Sequence, residues 1–256
     1  MYQHCPKCGF ENPDPEAVKT AKTCAQCGLI YDKWLKQQFH APAGEVDEAE
    51  VVHWVPTVSF KPYLRRAWLR VTEVFYLDRF TYYGHIAIYG ILFVWGWQFI
   101  LMEIPTGEIG DSFMHNINLI FHEAGHIVFA PFGWFMRVLG GSLLQLILPL
   151  MVIGVFIHQY HNNFGASVGL WWFGQSCMDL GPYIADARAL QLMLLGGGTG
   201  ADRPGAHDWE NILATLGWLA HDQRIASMVD GFGTMMMLLA FVWGGYLLWQ
   251  QRHALN

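Results

Sequence analysis

Charged residues are scarce in this chain. Asp, Glu, Lys and Arg make up only 14% of its 256 residues against 53% hydrophobic, whereas a soluble domain carries about a quarter charged. That shortage excludes an ordinary water-soluble domain and points to an integral membrane protein. Also missing is a basic start followed by an apolar core, since the chain opens on Cys5, Lys7 and Cys8, so the N-terminus is expected to stay in the cytosol. No internal repeat is visible. Residues 103 to 116 lack any Lys or Arg, whereas Lys61, Arg65, Arg66, Arg70 and Arg79 precede the first long apolar run. By the positive-inside bias that places residues 1 to 79 inside, as in a bacterial inner (plasma) membrane. A net charge of -6 argues mildly against a nucleic-acid partner.

What is present is apolar length. Residues 82 to 102 and 229 to 249 each run long enough to cross a hydrocarbon core of about 30 Å. Residues 112 to 139, 142 to 160 and 167 to 195 are apolar but carry His, Asn, Gln, Glu and Asp. The expected fold is mainly α, a polytopic bundle of about five spans with a small N-terminal zinc ribbon. Polar groups in lipid are costly and usually face an interior site, so the polar spans should build the functional centre. On this count Gly196-Gly197-Gly198-Thr199-Gly200 is a cytosolic loop, and it lacks the Lys-Ser/Thr ending of a phosphate-binding loop.

Cys5-Pro6-Lys7-Cys8-Gly9 and Cys24-Ala25-Gln26-Cys27-Gly28 are two C-x-x-C-G turns, a spacing that brings four thiolates to tetrahedral zinc. The glycines permit the turns that aim N–H groups at sulfur. Residues 1 to 32 therefore resemble zinc-ribbon domains, which serve as structural or interaction modules. A cytosolic protein partner is the expectation for this zinc, and catalysis is not. Residues 33 to 80 read as an acidic linker, with Glu45, Asp47, Glu48 and Glu50, followed by an interfacial basic helix. Residues 81 to 256 form the membrane-embedded domain. Cys177, in apolar surroundings, reads as a packed thiol.

The chemistry is concentrated in His122-Glu123-Ala124-Gly125-His126. A helix sets residues four apart on one face, so both imidazoles can reach one metal with Glu123 beside it. Such a string arises by chance in roughly one chain in fifty of this composition, so its surroundings matter. His115 and Asn118 continue the stripe, and the rest of the segment is apolar. A single intramembrane His such as His85 or His115 is more often a packed core residue. Glu123 is different, because an uncompensated charge in a membrane costs several kcal/mol and a divalent cation is the simplest compensation.

A third ligand is expected from a later span. Asp179 is the leading candidate and Asp186, two helical turns on, its rival, with Gly181 and Pro182 loosening the helix between them. Asp186 has an alternative as an ion-pair partner of Arg188 or Arg137. His207-Asp208 and His221-Asp222 lie in the polar connection after the fourth span and reach the metal only if that connection folds back. His158 and His161 suit an interfacial cap better than a second metal. Gly140-Gly141-Ser142 with Gln145 is either a turn between spans or a place for an extended substrate, with Gln145 and Asn118 as substrate or oxyanion contacts.

A membrane-embedded H-E-x-x-H followed by a Gly-rich turn and, about fifty residues on, an Asp in a later span resembles the site-2 protease type of intramembrane zinc metallopeptidase. The resemblance covers residues 115 to about 190. It implies His122 and His126 as zinc ligands, Glu123 as general base and Asp179 as third ligand, with one catalytic zinc besides the structural one. The Asp-Gly usual in that family is replaced here by Met178-Asp179-Leu180-Gly181, and no PDZ-type insertion is evident. The implied substrates are peptide bonds of membrane-associated proteins, and the bilayer is a constant partner. The rival from another class is a non-catalytic metal-binding membrane scaffold whose ribbon recruits a cytosolic partner. A haem carrier is disfavoured, because His122 and His126 share one helix face.

Overall fold

A computed structural model describes residues 5, 7, 8, 10, 23–30, 71, 72 and 78–254. The acidic linker and most of the expected interfacial helix fall outside them. The chain divides into two units, Met1–Val58 and Ser59–Asn256.

In the first unit the two C-x-x-C turns bring four sulfurs together, with Cys5 Sγ 3.7 Å from Cys27 Sγ and Cys8 Sγ 3.8 Å from Cys24 Sγ. All four thiols are free. Tetrahedral zinc with bonds of about 2.3 Å sets neighbouring sulfurs roughly 3.8 Å apart, so the spacing suits a metal. Gly28 takes φ 69°, a conformation glycine adopts without strain, and its N–H closes the second turn onto the Cys24 carbonyl at 2.9 Å. An isolated bridge joins Thr23 and Ile30.

The second unit is helical among its described residues. Its α-helices are α1 (Arg79–Leu101), α2 (Phe113–Phe129), α3 (Trp134–His158), α4 (Asn163–Ala185), α5 (Asp208–Leu216) and α6 (Asp222–Ala254), with short 3-10 turns between. Asp78 caps α1 by accepting the Thr81 N–H, and Ser112 caps α2 by accepting that of His115. Three helical segments are long and apolar enough to cross a membrane: α1, α3, and Leu219–His253, which contains most of α6. α4 is as long as α1 but carries polar residues that it buries inside the unit.

Two segment boundaries differ from expectation. The apolar stretch 112 to 139 is not one span. It breaks where Pro131 and Gly133, with φ 97°, end α2 in a 3-10 turn and start α3 at Trp134. Gly140, Gly141 and Ser142 therefore lie inside α3 and form no turn. Pro182 does not break α4 either, because it sits in the last helical turn, where its missing N–H frees a single carbonyl.

Small residues set how the helices meet. A Cβ on Gly125 of α2 would fall 2.1 Å from the Gly140 carbonyl oxygen, and one on Gly174 of α4 would fall 2.8 Å from that of Gly233 in α6. Backbones thus touch directly at both crossings, the arrangement that compensates for a weak hydrophobic drive between helices in lipid. Phe99, Trp171, Met178, Met237 and Phe241 fill the core beside them, joined by Ile109 from the connection after α1.

Contacts also fix direction. His85 meets Gln251, Tyr89 bonds the Phe241 carbonyl, and Gly96 lies against Met237, so α1 and α6 run antiparallel. Gly244 against Ser167 and Gln223 against Ala185 make α4 antiparallel to α6. Gly165 against Phe156 and Gln145 against Ser176 make α3 antiparallel to α4. α2 behaves differently: it begins with His115 beside Asp179, near the end of α4, and finishes with His126 beside Arg137, near the start of α3. Both of its ends therefore lie at the same end of the unit.

Candidate metal centre and cavity

His122 is held first by its neighbours. Its Nδ1 lies 3.1 Å from Gln145 Oε1, while Nε2 lies 3.0 Å from Asp208 Oδ2. His126 repeats the pattern, with Nδ1 2.8 Å from the Arg137 carbonyl oxygen and Nε2 3.3 Å from the same Asp208 oxygen. Since each Nδ1 faces an acceptor, each must carry its proton there, which leaves both Nε2 lone pairs aimed at one point. This is how metal-binding imidazoles are oriented, by a partner on the far ring nitrogen. The three donor atoms lie within 4.8 Å of one another and can hold a metal ion. Zinc bonds of about 2.0–2.1 Å put tetrahedral N and O ligands roughly 3.3 Å apart, close to both Asp208 distances.

The carboxylate that joins the imidazoles is thus that of Asp208, and the expectation of Asp179 is corrected. Asp179 has no oxygen to spare: Oδ1 lies 2.9 Å from His115 Nδ1, and Oδ2 accepts from Asn118 at 3.1 Å and Gln145 at 3.0 Å. It supports His122 through Gln145, one residue removed. The rival Asp186 is also occupied, accepting the N–H groups of Gln191 and Leu192 and lying 3.4 Å from His207 Nε2. Neither Arg188 nor Arg137 pairs with it. Arg188 instead grips Asp222 at 2.8 and 2.7 Å, and neither Asp222 nor His221 belongs to the group of donors around His122 and His126.

Asp208 arrives because the polar connection after α4 folds back. The His207 side chain caps α5 by accepting the Glu210 N–H, Trp209 donates to Ser142 of α3, and the Tyr183 hydroxyl takes the Asp208 N–H while donating to Oδ2.

Asn118 and Gln145, expected as substrate or oxyanion contacts, are instead saturated. Asn118 donates to Gln175 and Asp179 and accepts from Trp172 and Ser176. Gln145 gives its two N–H groups to Asp179 and to the Ser176 carbonyl. Neither has a donor left for a carbonyl, so they form a rigid wall behind the metal centre. His85 stacks on Phe164 with ring centroids 4.1 Å apart, the packed role expected of a lone His. Cys177 is buried, as expected of a packed thiol.

Glu123 makes no hydrogen bond or ion pair among the described residues, and it faces a cavity of about 1020 Å³. His115, His122, His126, Tyr183 and Asp208 line the same space, with Leu119, Ile127 and Leu192 to Leu195 as apolar walls. No known family, curated protein or solved structure matches this chain. The site must therefore be read from its own geometry. Two of its members escaped the sequence. Asp208 reaches the imidazoles only through a fold-back that nothing local in the sequence reports, and Tyr183 carries no pattern at all.

Proposed function

We propose that the chain is an intramembrane metallopeptidase, with zinc as its metal, that hydrolyses peptide bonds of membrane-associated proteins. The observation that carries this reading is the convergence of His122 Nε2 and His126 Nε2 on Asp208 Oδ2, in a cavity that Glu123 also lines. Two imidazoles and a carboxylate leave a tetrahedral metal one open position, as catalytic sites require and closed structural sites do not. The likeness to site-2 proteases supports the class, and the origin of the third carboxylate sets this chain apart from it.

His122, His126 and Asp208 would hold a zinc ion, which would lower the pKa of its water towards 7 and polarise a carbonyl. Glu123 takes the proton as the carbonyl is attacked and returns it to the leaving amine. Asp208 and the two imidazoles stay fixed, because Tyr183, Gln145 and the Arg137 carbonyl hold them from behind. A substrate helix must unwind before its carbonyls become available, which favours small or helix-breaking residues at the cut. The four-cysteine cluster serves as a structural zinc site and a contact for a cytosolic partner, with the N-terminus in the cytosol.

The test is Glu123→Gln in the full chain, with a membrane-inserted reporter as substrate. Metal content should be unchanged and cleavage should fall by roughly 10²–10⁴-fold. Undiminished cleavage would remove the peptidase reading.

A further inference from the structure

We infer that the metal centre opens on the extracytoplasmic side of the membrane and receives the apolar segment of a membrane-anchored chain where that segment leaves the outer leaflet. The substrate half rests on the peptidase reading. The side rests only on helix order and charge.

Helices α1, α3, α4 and α6 alternate in direction, whereas α2 begins and ends at one end of the unit. Four traverses therefore replace the five read from hydropathy, and the difference moves the site. Five would bring residues 186–207 back to the side of Arg79. Four leave them opposite it, beside the connection between α1 and α2, where Leu192 lies against Gly107. Glu123, Asp208 and the cavity sit at this same end, since Gly107, Asp111 and Leu192 to Leu195 all line it.

Charge assigns the ends. Lys61, Arg65, Arg66 and Arg70 precede α1, which begins at Arg79, and Arg252 lies at the same end in the last turn of α6. The cavity end carries Arg137, Arg188, Arg203 and Arg224 among Glu103, Glu108, Asp111, Asp202 and Glu210. Two of those arginines are internally engaged, Arg188 on Asp222 and Arg203 on the carbonyls of Leu195 and Gly197. The excess of Lys and Arg thus marks the Arg79 end as cytosolic and the cavity end as extracytoplasmic.

The walls then describe the ligand. Met193 and Leu195 stay 73% and 58% exposed on the connection that borders the cavity. Apolar side chains at such an edge suit the boundary between lipid and water. The volume, at the upper end of the roughly 300–1,000 Å³ of small-ligand pockets, admits a few unwound residues and no folded domain.

Cysteine labelling of the full chain in intact cells tests the side without any need for activity. Met193→Cys should react with a membrane-impermeant maleimide added outside, and Tyr160→Cys, between α3 and α4 at the other end, only after permeabilisation. The parent chain, with its own five cysteines, sets the background. Leu195→Cys repeats the test if Met193→Cys does not insert. Labelling of both positions from outside, of neither, or of Tyr160→Cys alone would overturn the assignment. Two reporters, each anchored by one apolar helix with helix-breaking residues at its outer or inner end, test the substrate. Glu123-dependent cleavage of the first alone is expected, and cleavage at the inner end overturns the inference. If neither is cut while the labelling holds, the peptidase reading and its substrate fall together and the side stands.

Discussion

A methyl group on Gly141 would stand 2.6 Å from His122 Nε2 and 2.7 Å from His126 Cε1. Helix α3 therefore presses bare backbone against both imidazoles of α2, and nothing larger than hydrogen fits there. Gly141→Ala should displace the rings from Asp208 and destabilise the fold by about 1–3 kcal/mol, the usual cost of overpacking. Metal analysis of the purified variant, corrected for the metal of the cysteine cluster, should show the embedded ion lost. Full occupancy would mean that the rings tolerate the shift.

Asp208 and Asp179 can be told apart by the same measurement. Asp208→Ala removes a donor and should abolish embedded metal binding. Asp179→Asn keeps the shape and touches the centre only through Gln145, so metal should be retained with affinity lowered by roughly 10–100-fold. The reverse order would restore Asp179 as the ligand.

Tyr183 offers a finer probe, because its hydroxyl both accepts the Asp208 N–H and donates to Oδ2 at 3.0 and 3.2 Å. Tyr183→Phe leaves the ring against His122 and His207 in place and removes only that clamp. Thermal stability should change little, while the embedded metal dissociates roughly tenfold or more readily. With cobalt in place of zinc, the absorption bands of the embedded site should shift as Asp208 gains freedom. An unchanged spectrum and affinity would show that the clamp is dispensable.

The cysteine cluster should respond to pH. The N–H groups of Cys27 and Gln26, aimed at the Cys24 sulfur, outweigh its burial and hold its thiol down to about 6 from an ordinary value of 9.0. A depressed pKa contributes stability that is complete above the ordinary value and is lost as pH falls through about 6. In an Asp208→Ala chain, where only the cluster binds metal, release to a chromogenic chelator should rise as pH drops below 6. Metal held without loss at much lower pH would contradict this.

The sequence made local chemistry legible and distant chemistry illegible. His122, Glu123 and His126 share a helix, so their spacing already fixed their common face, and the C-x-x-C turns carried their own geometry in the same way. Asp179 misled because polarity within an apolar run reports that a residue is buried among partners, not which partners. Its carboxylate stabilises a hydrogen-bonded wall in place of binding metal. The division of residues 112 to 139 into α2 and α3 was hidden for a related reason: hydropathy measures apolar length, whereas Pro131 and Gly133 end one helix and start the next. Asp208 depended on Arg188 gripping Asp222, Asp186 tying down the turn after α4 and Trp209 reaching Ser142, contacts that no local pattern encodes.

The late position of Asp208 has a bearing on how the molecule matures. The two imidazoles and Glu123 leave the ribosome some eighty residues before the carboxylate that completes their donor set. Until α4 has been made and the connection after it has folded back, the growing chain holds an incomplete ligand group with weak grip on metal. On the proposed reading, acquisition of the ion would follow assembly of the helices around it, and a half-built chain would lack the metal-activated water that the complete donor set supplies.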